Sequence, residues 1–249
     1  MSQEAAATGS RHASPPGLPP AYMPKPATSV VCPPGLEYLT TIDQVIIAQQ
    51  KEIIEAISGI EFSNSYVAKN SAGQFIYNIS EHSNCCARCF CGPNRCFVMD
   101  VTDYKKDAVM RFVRHLRCTQ CCFCCCLQVV EVQAPPGTVI GYVRQLWSLC
   151  YPTYGIYDRQ EQKVLDVVGP LCTISLPCKC GVDFEVRSTN GAVVGKITKK
   201  WGGVLKEALT DADTFGVTFP MDLDVHSKGS LMAVTMLIDY MFFESSGWS

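Results

Sequence analysis

Residues 231–243 read LMAVTMLIDYMFF and are apolar on every helical face except at Thr235 and Asp239. A helix hydrophobic all round is either a membrane span or a fully buried core helix. These thirteen residues would rise about 20 Å, short of the roughly 30 Å hydrocarbon layer. Asp239 inside a bilayer would cost about 2.5 kcal/mol or more. Lys228, Gly229 and Ser230 bar lengthening the segment upstream. A helix threaded through a closed β-barrel meets the same pattern without these costs. The alternative, a membrane-inserted helix, stays open on sequence alone, and the choice between them decides the fold.

A barrel needs strands, and the sequence offers many. After about residue 64 the chain breaks into short alternating runs separated by Gly, Asn, Pro and Ser, such as Tyr66–Asn70, Phe75–Tyr77, Phe97–Val101, Gln128–Val132, Val139–Val143 and Phe184–Arg187. Many short strands at regular spacing predict an all-β sandwich or barrel. Tyr66, Asn70, Phe75 and the cysteines at 85–91 recur as Tyr154, Asp158, Val164 and the cysteines at 172–180. The offset is close to 88 residues, which predicts two half-barrels of similar build closed together. Before this region, Leu36, Leu39, Ile42, Val45, Ile46 and Ile47 recur near helical spacing and continue to Ile57 and Gly59. That pattern predicts a helix over 36–57.

The remaining composition bounds the function. The chain has 249 residues and a net charge of −2, with no domain-wide basic face, which argues against nucleic acid as the main partner. Residues 1–34 are proline-rich with almost no periodic apolar residues, and are expected to be a disordered leader before a folded domain over 35–249. Within the leader, Pro19, Pro20 and Tyr22 form P-P-x-Y, just after Pro16-x-x-Pro19. Such segments pre-form the polyproline II helix that WW and SH3 domains bind, although a plain proline-rich spacer fits equally. Met1–Tyr22 lacks the apolar region of a signal peptide. Sixteen cysteines are then expected in a reducing compartment, free, metal-bound or modified.

The densest cysteine run is RCTQCCFCCCLQ, residues 117–128. Zinc would want four ligands, usually as two separated C-x₂-C pairs. Adjacent thiols on an extended chain point in alternating directions and cannot all reach one metal. Clusters 85–91 and 172–180 keep a metal site open as an alternative. Arg111, Arg114, His115 and Arg117, interleaved with Phe112, Val113 and Leu116, give the basic apolar setting that S-palmitoylation uses. Residues 211–222, DADTFGVTFPMD, match the length and part of the pattern of an EF-hand loop. Asp211, Asp213 and Asp222 take positions 1, 3 and 12, and Gly216 takes the turn position. Phe215 and Phe219 replace the usual oxygen ligands, and Val217 needs only its carbonyl. The competing reading is a barrel strand ending in an acidic turn. The spacing of the histidines suggests no catalytic triad and no glycine-rich nucleotide loop occurs, so neither covalent catalysis nor ATP use is expected.

Taken together, CPPGLEYL (32–39), LQVVEVQAPPGTVIGYV (127–143), the cysteine run, DADTFGVTFPMDLDV (211–225) and LIDYMFFE (237–244) resemble the phospholipid scramblases. The resemblance covers about residues 33–244. It implies a tubby-like fold, a closed twelve-stranded β-barrel around a buried C-terminal helix. It implies Ca²⁺-activated, ATP-independent, bidirectional movement of phospholipids at the cytoplasmic face of the plasma membrane. It further implies a Ca²⁺ site at Asp211, Asp213, Phe215, Val217, Phe219 and Asp222. Palmitoylation is implied at Cys121, Cys122, Cys124, Cys125 and Cys126, although Phe123 falls inside the run and the family's usual proline is missing there. Lys196, Lys199 and Lys200 resemble the family's nuclear-import segment, which implies an importin as partner and a nuclear pool when not palmitoylated; a solvated strand face is the plainer reading. A filled barrel offers no lumen, so direct scrambling would require a homo-oligomer or a large rearrangement. A palmitoylated, membrane-anchored signalling adaptor with a WW-binding leader and no scrambling of its own is the second reading.

Overall fold

Alternation rather than helical spacing governs the first element. In β1 (Gln44–Gln50), Val45 and Ile47 are fully buried while Gln44, Ile46 and Ala48 are only partly covered. The expected helix over 36–57 is therefore corrected within the described residues, to a short 3-10 turn at Glu37–Thr41 followed by this strand. Consecutive β-branched residues at 45–47 stiffen χ1 and favour the pleated backbone. The structure, a computed structural model, describes residues 22–26, 32–50, 64–82, 96–116, 127–171, 182–200 and 214–243.

Eleven more strands follow. They are β2 (Ser65–Lys69), β3 (Phe75–His82), β4 (Phe97–Thr102), β5 (Ala108–Arg114), β6 (Val129–Gln133), β7 (Val139–Leu146), β8 (Thr153–Asp158), β9 (Lys163–Val168), β10 (Val182–Ser188), β11 (Val193–Lys200) and β12 (Thr214–Thr218). Each pairs antiparallel with its sequence neighbour, and β12 closes the barrel on β1 with Ile47 opposite Phe215 and Val45 opposite Val217. The expected closed barrel is what the chain forms. Closure removes free strand edges, so every wall strand is paired on both sides.

Several turns share one build around the barrel, and Asp103 Oδ1 accepts backbone N–H groups from Lys105 and Asp107. Asn70 Oδ1 accepts backbone N–H groups from Ala72 and Gln74, and Asp158 Oδ1 does the same from Gln160 and Gln162. The pairing register shifts beside each tight turn, at Ala68/Lys69, Val101/Thr102, Val132/Gln133, Ile156/Tyr157 and Val186/Arg187. Asn and Asp favour such turns because their side chains bond their own backbone two residues on.

An up-and-down barrel sorts its connections between two ends. Every tight turn (70–74, 103–107, 134–138, 158–162, 188–192) lies at one end, here the turn pole. The connections 51–64, 83–96, 115–128, 147–152, 169–181 and 201–213 join strand ends at the other, the loop pole. Every cysteine except Cys32 falls in one of these loop-pole connections by position in the chain.

Helix α1 (Val225–Phe242) enters at the turn pole and runs toward the loop pole. Asp224 caps it, its carboxylate accepting from the N–H groups of His226 (3.0 Å) and Ser227 (3.1 Å). Every residue from Ser227 to Tyr240 is buried, and rings from opposite sides of the wall close on its end, with Phe97 4.7 Å from Tyr240 and Phe215 5.9 Å from Phe243. A stretch apolar on every face is thus satisfied by a wall on every side, each large aliphatic contributing about 1.5–3 kcal/mol on burial. One boundary differs from expectation, because the helix includes Lys228, Gly229 and Ser230 rather than starting after them. No helix among the described residues is long and apolar enough to cross a membrane.

Gly35 fixes the lid of the turn pole. Its φ of +91° is left-handed, and a Cβ there would lie 2.1 Å from Val109 Cγ1. Only glycine meets both constraints.

Candidate functional site

The segment expected to bind Ca²⁺ is split by the fold. Phe215 and Val217 lie on β12, buried, and both are paired on two sides, with Ile47 and Lys199 and with Val45 and Ile197 respectively. Phe219 is buried as well, its N–H donating to the carbonyl of Asp43. Asp222 sits in the exposed turn before α1, while Asp211 and Asp213 lie outside the described residues. An EF-hand wraps its loop round one ion at 2.3–2.6 Å. Five extended residues separate Asp213 from the residues after β12, roughly 16 Å at ~3.3 Å each. The residues from Phe215 to Asp222 therefore do not fit an EF-hand while β12 is in the barrel. Here the strand ending in an acidic turn is the geometry found. Among the described residues no group of three or more His, Cys, Asp or Glu is placed to hold a metal.

What holds this turn is Lys228, a residue that the sequence placed only as a bar to lengthening the apolar run. Its ammonium is buried and donates to the carbonyls of Leu39 (2.9 Å), Ile42 (3.0 Å) and Met221 (2.7 Å). Burial pushes its pKa down, opposed by the carboxylates of Asp222, Asp43 and Asp224. Three donors matched to three carbonyls explain how a lysine survives inside an apolar helix. No sequence signal marks it, because two of the three carbonyls come from backbone 186 and 189 residues away.

At the loop pole a second polar group sits on the helix. Tyr66 donates to Asp239 (2.7 Å), Asn64 links Gln49 (3.0 Å) to the hydroxyl of Tyr240 (3.1 Å), and Glu81 accepts from the Asn64 N–H (3.2 Å). Arg114 Nε donates to Gln128 (2.9 Å) beside the Phe97 ring. This corrects the expected basic apolar segment. Arg114 points into the barrel, and Arg111 is paired with Asp100 at 2.6 Å. Alternation along β5 puts Phe112 and Arg114 on the same inner face. Arg117 and Cys121, Cys122, Cys124, Cys125 and Cys126 lie outside the described residues, in the connection from β5 to β6.

The three lysines of β11 do not form one basic face. Lys196 is outward and reaches Asp183 at 3.5 Å, whereas Lys199 is buried with its ammonium 3.8 Å from the centroid of Phe243. A three-residue spacing on a strand sends side chains to opposite faces, so the expected solvated lysine face is corrected for Lys199. The side chain of Lys200 lies outside the described residues.

In the leader, Pro19 and Pro20 lie outside the described residues, but residues 22–26 lie on the barrel. Tyr22 forms a parallel bridge with Phe75 and meets its ring edge-on at 5.5 Å between centroids, Met23 N–H donates to the Phe75 carbonyl, and Lys25 pairs with Glu37 at 2.9 Å. The Tyr22 ring remains half exposed above a shallow groove lined by Lys69, Tyr104 and Lys106.

The family model described as Scramblase matches residues 23–245. The chain is 48% identical over 229 residues to phospholipid scramblase 1 of Homo sapiens, covering 91% of this chain and 71% of that protein. It is 49% identical over 224 residues to phospholipid scramblase 2 of Bos taurus, covering 90% and 76%, and 43% identical over 230 residues to phospholipid scramblase family member 5 of Homo sapiens, covering 92% and 83%. The family match over residues 23–245 and these identities show that the chain belongs to the scramblase family.

Proposed function

We propose that the chain moves phospholipids between bilayer leaflets in both directions, without ATP and in response to Ca²⁺, from the cytoplasmic face of the plasma membrane. The observation that carries this reading is the family match over residues 23–245, together with relatives named phospholipid scramblase. The protein is a lipid translocator in this reading, with no covalent step. Palmitoylation of Cys121, Cys122, Cys124, Cys125 and Cys126 holds it to the membrane, since one acyl chain binds only marginally and several bind stably. The Ca²⁺ arm rests on the resemblance of Asp211, Asp213 and Asp222 alone, and β12 as folded gives it no closed loop.

The filled barrel constrains the route. Helix α1 occupies the interior, so a lipid headgroup has no polar path through it, and movement goes through an assembly of chains or around the barrel's outside. The same filled interior favours a second reading, a palmitoylated adaptor whose P-P-x-Y leader recruits WW domains. Purified chain in liposomes with labelled lipid, with and without Ca²⁺, separates the two. Flip above the rate of empty liposomes supports the first; flip equal to empty liposomes, with WW-domain binding retained, replaces it with the second.

A further inference from the structure

Large apolar side chains are exposed at both poles, at Tyr22, Tyr104, Val193 and Met221 near the turn pole and gathered within one short connection at the loop pole. At the turn pole two of the five tight turns are charged, carrying Asp103, Lys105, Lys106 and Asp107 in one and Asp158, Arg159 and Glu161 in the other. At the loop pole the connection from β7 to β8 reads Trp-Ser-Leu-Cys-Tyr-Pro over 147–152, without a charge. Its large side chains face solvent, with Trp147 61%, Leu149 85% and Tyr151 48% exposed. The neighbouring connections add Leu116 after β5 and Leu171 after β9, both well exposed.

These residues form one rim. Strands β5 to β10 are consecutive in the barrel, so their three connections at this pole are adjacent. The Gly169 N–H donates to the Pro152 carbonyl at 2.8 Å, and a Cβ on Gly169 would lie 2.5 Å from both Pro152 and Phe184. The Gln145 N–H donates to the Gln128 carbonyl at 2.8 Å, tying β7 to the start of β6. Ser148 Oγ accepts the Tyr151 N–H, and Thr153 Oγ1 donates to the Tyr151 carbonyl, so the tip is internally braced.

A leucine left almost wholly in water between a tryptophan and a tyrosine marks a contact surface. Its chemistry selects the partner. Trp and Tyr combine an apolar body with a polar edge and concentrate at the headgroup level of bilayers, where an uncharged Leu enters the acyl boundary. We propose that the 147–151 tip, flanked by Leu116 and Leu171, inserts into the interfacial layer of a phospholipid bilayer, so that the barrel stands on its loop pole with the charged turns facing away. This rests on the reading above that the chain works at a phospholipid surface, and adds a contact made by its own side chains, independent of acylation.

The test uses full-length, unacylated chain with an N-terminal histidine tag, held on phosphatidylcholine vesicles by a nickel-chelating lipid. With Trp201→Phe and Trp248→Phe, Trp147 is the sole tryptophan. Its emission is expected to shift to the blue and to be quenched by acyl-brominated phosphatidylcholine. The opposite pole supplies the control, Trp147→Phe with Val193→Trp, at a turn-pole position 59% exposed, which stays unquenched. Equal quenching at the two positions, or none at Trp147, overturns the proposal. A blue shift that needs no lipid and grows with protein concentration also overturns it, in favour of a second copy of the chain. Without the tether, Leu149→Ser is expected to lower vesicle partition about tenfold, the cost of one lost aliphatic insertion. Lipid flip in the same vesicles is scored separately, so quenching without flip sinks the translocation reading and leaves the rim intact.

Discussion

The hydroxyl of Tyr66 on β2 donates to the carboxylate of Asp239 on α1 at 2.7 Å, both groups buried and 173 residues apart in sequence. This bond joins the first half of the wall to the end of the central helix. A carboxylate in the interior is tolerated only where donors meet it. Tyr66→Phe keeps the ring and removes the donor, with an expected loss of about 1.5–3 kcal/mol, as for a hydrogen bond to a charged group. A double-mutant cycle with Asp239→Asn in denaturant unfolding measures the link. Additive losses would show that the two groups do not act together.

Lys228 does the corresponding work at the turn pole. Lys228→Met preserves the apolar stem but leaves the carbonyls of Leu39, Ile42 and Met221 without their common donor. The expected cost is about 3 kcal/mol in urea unfolding, in the range for breaking a buried charged group's bonds. Hydrogen exchange should rise first at 36–43 and 219–224, the segments the ammonium gathers. A uniform rise across the barrel would instead point to general loss of packing.

These two bonds show where sequence reading stops. The strands were legible because alternation is local, as in Val45 and Ile47, and the buried helix was legible because its apolar run is too short to span. The half-barrel repeat was visible in Tyr66 and Tyr154, which the fold buries in corresponding strands. Lys228, Arg114 and Lys199 were misread as surface charges or as a bar to lengthening the apolar run, because their partners are backbone carbonyls, an amide and rings brought together only by barrel closure. The helix over 36–57 failed for a related reason. Six apolar residues in twelve positions fit either period, and the ladder with β12 and β2 decides.

Alkaline pH should loosen the barrel through its buried phenols. Burial holds the pKa of Tyr154, and of Tyr77, well above the ordinary value near 10. In the unfolded chain these phenols ionise above about pH 10, whereas in the fold they stay neutral. The unfolded state then binds fewer protons, so stability falls as pH rises beyond 10. Lys228, with a lowered pKa, contributes the opposite slope below the ordinary lysine value. Tyr154→Phe should therefore flatten the decline in unfolding free energy between pH 10 and 12 by up to about 1.4 kcal/mol per pH unit. An unchanged slope in the variant would show that Tyr154 ionises as readily in the fold as outside it.

Calcium provides the sharpest conflict between pattern and fold. Asp222 follows a strand, Thr214–Thr218, that β1 and β11 hold extended, and an EF-hand would need that stretch to curl round one ion. A ligand that binds only an opened state stabilises that state and lowers the melting temperature of the closed one. Millimolar Ca²⁺ is therefore expected to leave the melting temperature of the full chain unchanged or lower it. Asp211→Ala and Asp222→Asn are each expected to weaken the calorimetric Ca²⁺ signal, because both carboxylates belong to the loop that only the opened state could close. A rise in melting temperature abolished equally by both substitutions would mean that residues 211–222 close around Ca²⁺ in the native state. The pairing of β12 described above could not then be the Ca²⁺-bound form.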